Sequence, residues 1–316
     1  MIYRSERYII LFHATSTHKP SYALKTNSFP TKIYIPMKLF QSSIHLVAAA
    51  LMFVSLSCSD SDPDTVTPDP VFNITVKSTT MGNVLADSAG RTLYIFSRDV
   101  DGKSACTGGC LTNWPIYSKT KLNVDPTLTA GDFAIITGTD GKPQATYKGW
   151  PLYYYKDDVV AGDVKGDNVG KIWFAAKTTY SAMIASAQLV GNDGKSYLGD
   201  YNEGTGATQF FVDNMGRTLY AFANDKKNKN NFTNNDATHD ASWPIFTAEL
   251  KDLPTGMDKA LFGTIDVFGK KQVTYKGWPL YYFGGDAQTR GLTKGVSVPR
   301  PGVWPIVNLA TANAPE

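Results

Sequence analysis

Histidine and cysteine are scarce in this 316-residue chain, with four and three copies. From Cys58 onward the only histidine is His239, and the only other cysteines are Cys106 and Cys110. Zinc sites draw about four ligands from such side chains, so no metal is expected. No cofactor is expected either, because no Gly-rich phosphate loop follows a strand and opens a helix. A G-x-S-x-G nucleophile motif is missing, and a Ser/His/Asp triad could recruit only His239, within the Asn-rich stretch NKNNFTNNDATHD. None of the acid-rich loops has the spacing of a calcium loop. The chain is therefore not expected to be an enzyme. Long helical periodicity is absent, and no apolar run approaches the ~20 residues of a membrane span. Excess positive charge is absent too, once position is considered. Residues 1–57 hold six of the 31 Lys and Arg and one of the 28 acids, leaving 25 basic against 27 acidic residues in the remainder. A nucleic-acid partner needs a basic face, and there is none.

What is present begins with an address. Read from Met37, MKLFQSSIHLVAAALMFVSLSC has a basic start at Lys38, an apolar stretch at 44–54 and small residues leading to a cysteine, the layout of an export signal at 37–57. Ser55-Leu56-Ser57-Cys58 resembles a relaxed bacterial lipobox, which makes Cys58 the expected lipidated residue and the membrane a partner through that anchor. Residues 1–36 fit neither signal nor domain, and a start at Met37 accounts for them. The run SDSDPDTVTPDP after Cys58 is too polar to bury area and reads as an extended tether over 58–70. Ser59 after the cysteine favours delivery to an outer membrane or cell surface.

The body of the chain is repetitive. Leu-Tyr-x-aromatic-x-x-Asp occurs four times: LYIFSRD, LYYYKDD, LYAFAND and LYYFGGD, at 93–99, 152–158, 219–225 and 280–286. Its repeated residues are Tyr94, Phe96 and Asp99, Tyr153, Tyr155 and Asp158, Tyr220, Phe222 and Asp225, and Tyr281, Phe283 and Asp286. Two of the copies sit within an octapeptide, YKGWPLYY, found unchanged at 147–154 and 275–282. Each copy alternates like a strand and follows a turn ending in Gly90, Gly149, Gly216 or Gly277, where a positive φ is expected. The fold class is thus all-β, built of antiparallel hairpin repeats in two tandem pseudo-symmetric halves of two units, at 71–180 and 181–316. A single closed body such as a four-bladed propeller is the alternative. Met183–Leu189 reads as a short helix or a strand. All six tryptophans fall at matched places, Trp114 with Trp243, Trp150 with Trp278 and Trp173 with Trp304. Aromatics used in step bury ~150–250 Å² each and read as core anchors. The four motif aspartates, each closing a strand, read as acceptors for backbone N–H groups of the next turn.

The motif Tyr-x-aromatic-x-x-Asp, the C-x3-C before Trp114-Pro115, the tandem halves and the signal together resemble the secreted-repeat family of predicted bacterial lipoproteins. The resemblance covers roughly 75–310. It implies an extracytoplasmic repeat protein and brings no catalytic residues.

With Cys58 set aside, Cys106 and Cys110 form an even pair in an oxidising compartment, and a disulfide is expected. A redox-active pair and a metal site are its rivals. The leading functional expectation is a lipid-anchored envelope protein that binds or scaffolds, its protein or glycan partner unknown. The alternatives are an envelope redox component using Cys106 and Cys110, and a carbohydrate-binding surface protein.

Overall fold

A computed structural model describes residues 71–316. Cys58, the signal at 37–57, the segment 1–36 and the tether at 58–70 lie outside the described residues. The first half contains β1 (Thr75–Thr79), β2 (Gly82–Ala86), β3 (Tyr94–Phe96), α1 (Gly109–Asn113), β4 (Phe133–Thr137), β5 (Pro143–Tyr147), β6 (Trp150–Tyr153) and β7 (Trp173–Ala175). The second contains β8 (Ala182–Val190), β9 (Ser196–Tyr197), β10 (Ala207–Asp213), α2 (Ala237–Asp240), β11 (Phe262–Val267), β12 (Lys270–Tyr275) and β13 (Trp278–Pro279). The segment read as helix or strand at 183–189 is strand, within β8.

All strand pairs are antiparallel, in sheets ordered β1-β2, β4-β5-β6-β3-β7, β10-β8-β9 and β11-β12-β13. Tandem hairpins are the building block, and none of these sheets closes on itself. The octapeptide makes the tightest of the hairpins. Tyr147 faces Trp150 and Tyr275 faces Trp278, so only Lys-Gly remains for the loop. Lys148 and Gly149 have φ of 48° and 75°, Lys276 and Gly277 of 49° and 85°. Two consecutive left-handed residues are what a type I′ turn needs to match the twist of its strands.

The halves differ where a proline intervenes. In the first, Ile95 pairs with Phe174 between Tyr94–Ala175 and Phe96–Trp173. In the second, Pro305 stands beside Trp304 where Phe174 stands beside Trp173. Pro305 accepts from Ala221 N at 2.9 Å but has no N–H to return. Tyr220 consequently meets Ile306 only as an isolated bridge, as it also meets Tyr281, and LYAF forms no strand despite its strand-like alternation.

One apolar cluster runs through both halves, joining Ile95, Val100 and Trp150 to Met183, Ala185, Phe210 and Val212. Arg290 crosses the same boundary. Its Nε donates to Val100 O at 2.6 Å, its Nη1 to Lys148 O at 2.9 Å, and its guanidinium lies 4.8 Å from the Trp150 ring centre. A side chain at Gly149 would leave no room for it, since a Cβ there would stand 1.8 Å from Nη1.

Candidate functional site

The motif residues meet in crossed pairs. Tyr94 of the first copy donates its hydroxyl to Asp158 Oδ2 of the second at 2.5 Å, and Tyr153 of the second donates to Asp99 Oδ2 of the first at 2.7 Å. The second half repeats the exchange, with Tyr220 on Asp286 and Tyr281 on Asp225, both at 2.7 Å. The crossing follows from pairing, because Tyr94 lies opposite Tyr153 and Tyr220 opposite Tyr281. Each carboxylate uses its other oxygen to hold the loop that follows. Asp99 accepts from Ala105 N at 2.8 Å, Asp158 from Lys165 N at 3.0 Å, Asp225 from Asn231 N at 2.7 Å and Asp286 from Lys294 N at 3.0 Å. All four aspartates are buried. Burial drives their carboxyls above the ordinary range, to about 7 for Asp99 and about 6 for Asp225, against the opposing pull of these hydrogen bonds.

The second motif aromatic closes a stack of rings. Phe96 lies 4.1 Å from Trp173, Trp173 3.8 Å from Trp114, and Trp114 4.4 Å from Tyr155. Phe222, Trp304, Trp243 and Phe283 form the same series at 4.4, 3.7 and 4.4 Å. Each half thus buries a tryptophan pair between the aromatic side chains of its two motif copies. Gly166 and Gly295 approach these stacks at equivalent points, each donating its N–H to the motif tyrosine, at 3.2 Å to Tyr94 and 3.3 Å to Tyr220. A Cβ at either glycine would lie 2.8 Å from the neighbouring tryptophan, so only glycine fits.

The octapeptide carries a further contact that the sequence reading missed. Tyr154 donates to Asp87 Oδ2 at 2.7 Å beneath Arg91, whose guanidinium is 4.1 Å from the ring centre. Tyr282 donates to Asp213 Oδ2 at 2.9 Å beneath Arg217, here at 4.6 Å. Arg217 also binds Asp213 through Nε at 2.6 Å. The signal was available: Asp87 and Asp213 each stand three residues before the glycine of a G-R-T-L-Y copy. With Tyr153 and Tyr281 on the motif aspartates, both closing tyrosines of YKGWPLYY are engaged in hydrogen bonds to carboxylates. The octapeptide tryptophans are less alike. Trp150 is buried and donates Nε1 to Asn214 O of the second half at 3.1 Å. Trp278, a core anchor by its match to Trp150, is instead only half-buried, covered on one side by the segment 308–316, with Nε1 on Ala312 O at 2.9 Å.

Cys106 and Cys110 are joined in a disulfide, with 5.4 Å between their Cα atoms. Cys106 is buried beside Trp114, and the bond pins the loop that carries α1. The second half pins its equivalent loop without sulfur. Asp236 caps α2 by accepting from Thr238 and His239 amides at 2.8 and 3.0 Å, while the His239 ring stacks 4.4 Å from Phe232. His239 Nδ1 is 2.9 Å from Asp240 Oδ1.

Two open clefts on the second half, of about 540 and 520 Å³, share a wall at Ala241, Pro244 and Ile245. The first is edged by Phe268, 59% exposed and held at φ 50°, and holds Asn235, Asp240 and Thr247. The second is lined by Arg217, Tyr282 and Phe283. Among the described residues no three His, Cys, Asp or Glu gather as metal ligands, and no helix is long and apolar enough to cross a membrane. The clefts offer aromatic and amide surface together with hydrogen-bonding groups, the materials of recognition.

Three segments, 75–117, 134–177 and 266–308, match a family model described as a secreted repeat of unknown function. No curated protein and no solved structure matches the chain. The matched segments contain the crossed tyrosine–aspartate contacts Tyr94–Asp158 and Tyr153–Asp99 and three of the four stacked tryptophans. The chain thus carries three segments similar to this secreted repeat.

Proposed function

We propose that the protein is held at the bacterial cell envelope by a lipid on Cys58 and acts by binding, without catalysing a reaction. The observation behind this reading is that the repeated polar groups are spent inside the fold. Tyr94, Tyr153, Tyr220 and Tyr281, the leading tyrosines of the four copies, and all four motif aspartates are bonded to one another or to backbone, leaving none of these eight free to act on a substrate. Recognition then falls to surfaces where the halves differ, and the second-half clefts edged by Phe268, Arg217 and Tyr282 are the ones with suitable chemistry. Two acyl chains at Cys58 would anchor the chain stably, and the polar tether would give the repeat body its reach.

An exposed aromatic beside amide, hydroxyl and carboxylate groups favours a sugar ring as the ligand, stacked on Phe268. The purified protein is assayed on an array of bacterial envelope glycans, with Phe268→Ala alongside. Saturable binding lost in the variant, with its circular dichroism unchanged, supports this reading. Absence of any saturable binding, or equal binding by the variant, rejects it.

A further inference from the structure

The contact between the two halves has a counterpart at the second octapeptide, made by a short segment in place of a neighbouring half. At the boundary, Trp150 Nε1 donates to Asn214 O at 3.1 Å, Lys148 O accepts from Arg290 at 2.9 Å, and the Arg290 side chain lies over Gly149. On the second half, Trp278 Nε1 donates to Ala312 O at 2.9 Å, Lys276 O accepts from Ala314 N at 2.9 Å, and Ala314 Cβ lies over Gly277, 3.3 Å from where a Cβ would stand. Three contacts of a repeat half are thus reproduced, residue for residue on the octapeptide side, by 308–316. Lys276 Nζ holds this segment through Leu309 O at 3.1 Å and Thr311 O at 2.8 Å. Lys227 adds its N–H to Pro315 O at 2.8 Å and its Nζ to Glu316 Oε1 at 2.6 Å, yet Trp278 remains half-buried beneath the segment.

The first half carries what such a surface would receive. In the second half the turn Asp213–Gly216 supplies the Asn214 carbonyl, and Gly216 seats Arg290 with its Cβ position 3.1 Å from the arginine Cβ. In the first half the matching turn is Asp87–Gly90, and Ser88 O accepts no hydrogen bond among the described residues. Ala161 occupies the place of Arg290, 3.1 Å from the Cβ position of Gly90. A cation is present all the same: the stem of Lys77 lies 3.7 Å from the Cβ position of Gly90 and 3.6 Å from that of Gly162. Lys77 Nζ has no hydrogen-bond or ion-pair partner among the described residues. Val159 and Val160, 79% and 62% exposed, immediately precede Ala161. A carbonyl for Trp278, a cation for Lys276 O and apolar side chains therefore sit together on one face.

We propose that the surface under 308–316 is a docking surface for the first half of a second copy of this chain, with the segment as its resident cap. Lys77 and Ser88 of one copy would meet Lys276 O and Trp278 Nε1 of the next. The contact is head-to-tail, so it propagates into rings or filaments and does not stop at a dimer. It uses neither of the clefts edged by Phe268 and Tyr282 and stands independently of the glycan reading.

The test uses the chain stopped after Asn308, and the full chain with Lys276→Met and Lys227→Met together, which removes the three side-chain bonds from these lysines to the segment and keeps its residues. Sedimentation velocity at rising concentration is expected to show a mass growing past the dimer for both, more strongly for the first. Adding Lys77→Glu is expected to return both to monomers. A peptide of residues 308–316 is expected to do the same to the shortened chain and to shift its Trp278 emission to the blue. Folded, monomeric variants at every concentration would overturn the proposal. So would association that Lys77→Glu leaves unchanged. If the shortened chain fails to fold, the full chain with Lys276→Met and Lys227→Met, with and without Lys77→Glu, decides by the same two outcomes.

Discussion

Replacing Tyr94 by phenylalanine removes one oxygen and two hydrogen bonds. The hydroxyl gives its proton to Asp158 Oδ2 at 2.5 Å and accepts from Gly166 N at 3.2 Å. Both partners are buried around it, and no water-exposed route replaces it. A hydrogen bond to a carboxylate contributes about 1.5–3 kcal/mol net, and a buried N–H left without a partner costs about 1–3 kcal/mol. Some relaxation is expected at Gly166, so the loss should fall at about 2–4 kcal/mol. For a body of this size each kcal/mol corresponds to about 2–4 °C in melting temperature. Urea unfolding followed by tryptophan fluorescence reads the change directly, with linear extrapolation to water. A cycle with Asp158→Asn isolates the pair, and a coupling of at least about 1 kcal/mol is expected for groups in direct contact. Tyr220→Phe should match Tyr94→Phe closely, since Tyr220 has the same partners, Asp286 and Gly295 N. A loss under about 0.5 kcal/mol, the size of an ordinary surface substitution, would refute the reasoning.

Gly166→Ala and Gly295→Ala should each cost about 1–3 kcal/mol or more by overpacking, whereas Gly131→Ala, with nothing within 4 Å of its Cβ position, should not destabilise; thermal melts separate the three. Arg290→Ala, which installs what Ala161 already is in the first half, should cost about 3 kcal/mol or more through two bonds to carbonyls and shift Trp150 emission to the red. The carboxyl of Asp99 is raised by burial to about 7. Its folded form therefore binds its proton more tightly than the unfolded chain, so its stabilising share is complete below pH ~4. That share falls by about 1.4 kcal/mol per pH unit until pH ~7. Unfolding across pH 4–8 should show the decline, and Asp99→Asn should flatten it. Reduction of Cys106–Cys110 should cost only about 2 kcal/mol, the entropy of a very short loop, measured as the shift in urea midpoint on adding reductant.

Much of this architecture could be read from residues alone, and the reasons are local. Lys-Gly between two aromatic strands specifies a type I′ hairpin, and it is found at both octapeptides. Cysteines four apart around a Gly-Gly could close a ring, and they do. What could not be read is who meets whom at a distance. The leading tyrosine of each motif copy ends on the aspartate of the other copy, 54–66 residues away, a choice set by strand pairing that no short window contains. The run LYAF also misled, because the consequence of Pro305 for its partner strand appears only once the two are placed side by side. The inter-half bolt Arg290 was hidden for a related reason. It replaces Ala161 of the first half, so a search for what the halves share passes over it. The unequal cover of Trp150 and Trp278 has the same origin, since one octapeptide has a half docked on it and the other only a nine-residue segment.

The crossing of the tyrosine–aspartate pairs is the centre of this account, and amide hydrogen exchange in two variants tests it most directly. Tyr94→Phe alters the first unit, yet it should accelerate exchange at Lys165 N, which Asp158 holds in the second. Tyr153→Phe alters the second unit and should accelerate exchange at Ala105 N, held by Asp99 in the first. Acceleration confined in each variant to the loop of the altered unit would contradict the crossed arrangement, and with it the view that the repeated motif exists to lock neighbouring units together.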